Sequence, residues 1–205
     1  MRIGFFGGTF NPVHQGHLLL AREAVKQLHL DHLQWIPAKP WQKTQEAILP
    51  DEDRVKMLQL AIEADPNMSV NTMELQRQKL SYSIDTLREL QKRYPQDERF
   101  YLIGADQWEN FHTWKDWQAL FDLATFVIFE RDGQRSANAQ VQAFLKDKTQ
   151  RVLFLTMPAV PVCSTELRSE ARRRGLNSPL CRRWIPESVR NYMILHHLFA
   201  ACKDC

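Results

Sequence analysis

The chain contains no apolar run near the ~20 residues that a membrane span requires, so no spanning segment is expected. Its charge is nearly balanced, with 27 Lys plus Arg against 24 Asp plus Glu. That excess is too small to argue for a nucleic-acid partner. The four cysteines, at 163, 181, 202 and 205, stand singly apart from one tail pair, which is no disulfide framework. The apolar part of residues 1–8 is too short for a signal peptide. Internal repeats and low-complexity tracts are missing too. Fibrous, coiled-coil and disordered chains are thereby excluded. A reduced, cytoplasmic enzyme or binding domain is the expectation.

What is present is 205 residues, 44% apolar and 25% charged, the balance of a globular protein. A globule of this length buries roughly 70% of its unfolded surface and needs no metal or disulfide staple. One domain over 1–205 is expected, its last part, 170–205, being helical.

Strand-like and helix-like segments alternate. Residues 2–6 form a short apolar run stopped by Gly7 and Gly8, which reads as a buried strand. From His17 onward, Leu18, Ala21, Val25 and Leu28 recur at helical spacing. A second strand at 33–36 ends at Pro37, completing a strand–helix–strand unit. Further strands are expected at 68–74, 100–103, 125–129 and 152–156, with helices at 51–64, 83–94, 116–124, 136–146 and 164–174. Gly175 stops the last of these, and Pro186 opens a final helix. Six strands with intervening helices predict a Rossmann-like, doubly wound α/β sheet. The long irregular stretch 37–50, with three prolines, two lysines and Trp41, has the character of a binding loop or lid.

In such a sheet, ligands bind beyond the C-terminal strand ends. The loop after the first strand holds Gly7, Gly8, Thr9, Phe10, Asn11, Pro12, Val13, His14, Gln15, Gly16 and His17. Glycines admit close backbone approach, and the helix that follows offers free N–H groups to a phosphate. His14 and His17, three apart, can turn to one side and donate to phosphoryl oxygens. The plainer alternative is a pair of capping surface histidines. After the last strand, Ser164 and Thr165 can cap a helix and face an anion, with Arg168 adding a forked cation. Taken alone, that segment is an ordinary cap. No G-x-x-x-x-G-K-[ST] or G-x-G-x-x-G occurs, which removes the P-loop and hydride-transfer dinucleotide sites.

The loop resembles the [TH]-x-G-H signature of the nucleotidylyltransferase superfamily, and Ser164-Thr165-x-x-Arg168 resembles its second phosphate motif. Residues 81–87 (S-Y-S-I-D-T-L), Leu102-Ile103-Gly104-Ala105-Asp106 and Phe111-His112-Thr113-Trp114 are similar to segments of the bacterial nicotinate-nucleotide adenylyltransferases. The resemblance implies adenylyl transfer from ATP to nicotinate mononucleotide. It places His14, His17 and Arg168 as catalytic residues. Gly8, Thr9, Phe10, Gly16, Gly104, Asp106, Ser164 and Thr165 join them around ATP, with Asp106 on the ribose. Asn11, Lys43, Ser83, Thr86 and Trp114 would bind the mononucleotide, with Trp114 stacking on the pyridine ring. Mg2+ would accompany ATP, and no protein metal ligand is implied. The sequence departs from the family where Trp41 and Gln42 replace a Pro and a His, where Lys115 follows Trp114, and where Cys163 replaces a small Ser.

Several other features are set aside. His196, His197, Cys202 and Cys205 offer zinc-type ligands, but at a tail where fraying is the default. The arginines at 172–174 and 182–183 read as solvated helix ends. A phosphopantetheine adenylyltransferase and a non-catalytic nucleotide sensor are the competing functions. Monomer and homo-oligomer stay open.

Overall fold

A computed structural model describes residues 1–39, 48–131, 138–145, 151–157 and 160–199. Trp41, Gln42, Lys43, Cys202 and Cys205, most of the expected loop 37–50, and both ends of the expected helix 136–146 lie outside the described residues.

Six strands, β1 (Arg2–Gly8), β2 (His32–Pro37), β3 (Met68–Val70), β4 (Glu98–Gly104), β5 (Thr125–Arg131) and β6 (Val152–Met157), form one sheet. Their order is β3-β2-β1-β4-β5-β6, and every neighbouring pair is parallel. The chain starts at β1, winds outward through β2 and β3, then returns to the other side of β1 with β4. β1 is therefore flanked by strands whose connections leave in opposite directions, the switch point where such sheets bind ligands.

The expected sheet is present, and the period-two alternation of its strands divides the core. Phe6, Leu33, Trp35, Leu102, Val127 and Phe129 point to one face. There they meet α1 (Gln15–Gln27), α2 (Asp51–Ala61), α7 (Ser164–Arg174), α8 (Pro179–Trp184) and α9 (Glu187–Leu195). Ile3, Phe5, Tyr101, Ile103, Phe126 and Ile128 point to the other face. They meet α3 (Ser83–Arg93), α4 (Ala105–Glu109), a 3-10 turn at Phe111–Thr113, α5 (Trp117–Leu120) and α6 (Ala139–Phe144).

Several expected elements come out shorter, the helix at 51–64 ending at Ala61. The strand at 68–74 ends at Val70, because the Asn71 side chain accepts from the Met73 N–H at 3.1 Å and turns the chain. The helix at 116–124 shrinks to Trp117–Leu120. Leu120, Phe121, Leu123 and Ala124 are all buried. Four buried side chains within five residues do not fit one helical stripe, so the chain tightens into turns instead. Three pieces arise that the periodicity does not announce: α4, the 3-10 turn and α8.

Candidate active site

The loop between β1 and α1 leaves the sheet at the switch point. Its backbone oxygens are taken up one after another by donors from remote segments. Gly8 O accepts from Ala38 N at 2.8 Å. Thr9 O accepts from Arg54 at 2.9 Å. Asn11 O accepts from Arg168 Nη1 at 2.9 Å, and Pro12 O from Ser164 Oγ at 3.1 Å. With these carbonyls committed to the protein, an incoming anion meets less oxygen and more N–H in this loop. The two sequence motifs, separated by 152 residues between Pro12 and Ser164, thus form one surface. Arg168 also donates to Thr165 Oγ1 at 3.0 Å, which aligns the first turn of α7.

His14 caps α1, and His17 lies in its first turn. Their rings stack with centroids 3.7 Å apart. The His14 N–H donates to His17 Nδ1 at 3.3 Å. That nitrogen is therefore an acceptor, and the proton of the neutral His17 ring sits on Nε2, ready to donate. His14 is buried, and its Nδ1 has no hydrogen-bond partner among the described residues. Burial pushes the His14 pKa down to about 4. Burial, and then the His14 ring, hold His17 well below the usual histidine value. Gly16 makes the arrangement possible. A Cβ there would stand 2.5 Å from Val160 Cγ1 and 2.9 Å from His14 Nδ1.

Beside this end opens a cleft of about 850 Å³, between the β1 loop, the residues after β2 and the start of α4. Gly8, Thr9, Lys39, Ser83, Asp106 and Trp114 line it. Trp114 is half-buried and backed by Phe111, with ring centroids 5.0 Å apart. Lys115, also in the lining, lies 4.6 Å over the Tyr82 ring. A Cβ on Gly104 would meet open space.

The expected site residues do not all face this cleft: His14, Gly16, His17, Gly104, Ser164, Thr165 and Arg168 are outside its lining, as are Phe10, Asn11 and Thr86. Phe10 has a left-handed φ of 49° and is buried at 2% exposure. Its ring packs against Phe6, Trp35 and His17 and is part of the core. Asn11 is buried and accepts from Leu49 N at 3.2 Å. Thr86 is fully buried behind the cleft wall and donates to Glu74 Oε1 at 2.6 Å. Lys43 lies outside the described residues.

Sequence reasoning passed over three charged residues here. Glu74 lines the cleft, and burial pushes its carboxyl pKa up against the opposing Thr86 and Arg77 contacts. Arg77 reaches Thr86 at 2.7 Å and Glu89 at 2.6 Å, which ties the segment after β3 to α3. Arg54 is the third. A signal existed for it: Arg54, Met57, Leu58 and Ala61 share the buried face of α2, and an arginine in an apolar stripe is unusual.

The family model of cytidylyltransferase-like proteins matches residues 5–170. A Thermus thermophilus protein named "probable nicotinate-nucleotide adenylyltransferase" is 38% identical over 200 residues, covering 97% of this chain and 100% of its own. A Bacillus pumilus protein of the same name is 36% identical over 199 residues, covering 97% and 98%. Among solved structures, the Plasmodium falciparum nicotinic acid mononucleotide adenylyltransferase complexed with APC is similar with a TM-score of 0.78. Identity to it is 14%, with 97% of this chain and 96% of that one covered. The same protein complexed with NaAD gives a TM-score of 0.77. At such identity these structures speak for the fold.

Proposed function

The chain belongs to the cytidylyltransferase-like family, in its nicotinate-nucleotide adenylyltransferase branch, and from that premise we propose that this cleft transfers the adenylyl group of ATP to nicotinate mononucleotide. Deamido-NAD and pyrophosphate are the products, a step of NAD biosynthesis. The observation that carries the reading is the joining of the β1 loop to the α7 terminus, through Ser164 and Arg168, beside a cleft walled by Trp114.

The nucleophile is a phosphate oxygen of the mononucleotide. It is already ionised, so no general base is required. It attacks the α-phosphorus of ATP in line, a new P–O bond forms, and the bond to the pyrophosphate oxygen breaks. Catalysis then consists of positioning and charge stabilisation. His17 Nε2–H and His14 donate to phosphoryl oxygens without bringing a fixed charge into the free site. Ser164, Thr165, Arg168 and the free N–H groups of α7 receive the departing pyrophosphate. Gly8, Thr9, Gly104 and Asp106 hold the adenosine, with Asp106 on the ribose. The pyridine ring stacks on Trp114, while Lys39 and Lys115 supply positive charge and Ser83 a hydroxyl.

Mg2+ fits as an ion carried on the triphosphate. Among the described residues, no group of three or more His, Cys, Asp or Glu side chains could hold a metal. Mg2+ on a nucleotide commonly takes most of its ligands from phosphates and water. It would screen the phosphate charge. A cytoplasmic location accords with this chemistry. Among the described residues, no helix is long and apolar enough to cross a membrane.

The test is His17→Ala. Loss of a donor aimed at developing charge lowers kcat by roughly 10²–10³, read as pyrophosphate release, while the melting temperature stays above the assay temperature. Full turnover in a folded His17→Ala protein would overturn the assignment.

A further inference from the structure

Arg54 lies on the sheet side of α2 and is 0% exposed. Its Nη1 donates to Thr9 O and to Ala38 O, each at 2.9 Å. Its Nη2 pairs with Asp51, a partly exposed acid at the start of the same helix. Its Nε has no hydrogen-bond partner among the described residues. A buried cation with an unsatisfied N–H is an expensive way to fill this position. Met57 and Leu58 beside it show that the pocket accepts apolar side chains. What an apolar residue there cannot do is grip two backbone oxygens.

Those two oxygens lie just past the ends of neighbouring strands, Thr9 after β1 and Ala38 after β2. Thr9 is in the loop after β1, which carries the phosphate-binding histidines at its far end. Ala38 follows β2 and precedes Lys39, and all three residues line the cleft. The direct bond from Ala38 N to Gly8 O, at 2.8 Å, pins the same junction a second time. Arg54 itself is not in the lining.

We infer that Arg54 is a positioning residue for adenylyl transfer: one planar guanidinium holds the phosphate loop against the Ala38–Lys39 wall and so sets the spacing between the two bound substrates. The inference rests on the adenylyltransferase reading, in which ATP sits on the loop side and the mononucleotide on the wall side. Each substrate alone needs only its own side. The reaction needs both in register, and a small misplacement between reacting atoms is costly in rate.

The experiment is Arg54→Lys in the full chain. A lysine keeps the charge but cannot bridge two carbonyls and an acid in one plane. Dissociation constants for ATP alone and for nicotinate mononucleotide alone are measured by calorimetry. Steady-state kcat is measured below the melting transition. The expected result is a fall in kcat of about 10- to 100-fold, with both dissociation constants changed by less than about threefold. Unchanged kcat in the folded variant overturns the inference, since Arg54 then only stabilises. A weakened dissociation constant with unchanged kcat overturns it also, since Arg54 then acts as a ligand charge. If Arg54→Lys does not fold, Asp51→Ala frees one arm of the guanidinium from a partly exposed position. It is expected to lower kcat severalfold with binding unchanged, and wild-type kcat in it is the contrary result. Absence of turnover in the wild-type protein strikes the adenylyltransferase reading instead.

Discussion

Burial keeps His14 and His17 uncharged near neutral pH, and on the proposed reading this makes them respond to a bound triphosphate. With the His14 pKa near 4 in the fold and near 6.5 in the unfolded chain, the unfolded state binds more protons between those values. Stability therefore falls as pH drops through that window, by about 1.4 kcal/mol per pH unit for the His14 ring. A bound triphosphate works in the opposite sense. It favours the imidazolium, so ATP binding between about pH 5 and pH 6.5 takes up protons. Calorimetry in buffers of different ionisation enthalpy measures that uptake, and zero uptake in this range would contradict the placement of the pair against phosphate. Gly16 gives a second expectation at this scale. Alanine is the better helix residue by up to ~1 kcal/mol, yet its Cβ would press on the His14 ring and Val160. Gly16→Ala should leave the melting temperature nearly unchanged and lower kcat/KM by as much as about 10²-fold. Equal activity in the two proteins would mean that His14 needs no fixed placement. Both residues are legible in the sequence because they sit in one contiguous loop. Arg54, Glu74 and Arg77 are not, because their meaning lies in partners such as Thr9, Ala38 and Thr86, whose approach only the fold supplies.

At the scale of elements, the strands declare themselves and the short helices do not. A buried parallel strand is a run of largely apolar residues, here bounded by Gly or Pro, and β1, β2 and β4 each end that way. The segment 105–120 instead packs α4, a 3-10 turn and α5 into pieces of five residues or fewer. Their shape follows from where Trp108, Phe111 and Leu120 must be buried, so no periodicity precedes the fold. α8 could have been found, since Ser178 caps it by accepting from Cys181 N at 3.3 Å and Pro179 opens it. The same broken segment delivers Trp114 to the cleft with Phe111 at its back. On the proposed reading, Trp114→Ala removes a stacking surface from the pyridine side and nothing from the phosphate side. The KM for the mononucleotide should rise by roughly tenfold, equivalent to about 1.4 kcal/mol, while the KM for ATP holds. A rise in the KM for ATP with that for the mononucleotide unchanged would place the indole at the adenine instead.

On the scale of the whole molecule, the fold brings two segments distant in the chain, the loop after β1 and the start of α7, into direct contact. Neither β6 nor α7 is a sequence neighbour of β1, and β6 lies three strands away in the sheet. Yet α7 begins against the loop that follows β1. The C-terminal helices close the arrangement from the same face. α9 is tied to α2 by Tyr192 Oη donating to Asp53 at 2.8 Å and by Ser188 Oγ donating to Leu60 O at 3.2 Å. α2 in turn carries the arginine that holds the Thr9 and Ala38 carbonyls. The central claim is that this crevice joins an adenylyl group to a pyridine mononucleotide. The direct measurement is pyrophosphate release from ATP and Mg2+ with nicotinate mononucleotide, nicotinamide mononucleotide and phosphopantetheine supplied in parallel. The account predicts turnover chiefly with the first. Turnover chiefly with phosphopantetheine would contradict the substrate assignment, and ATP binding without turnover on any of the three would contradict the enzyme itself.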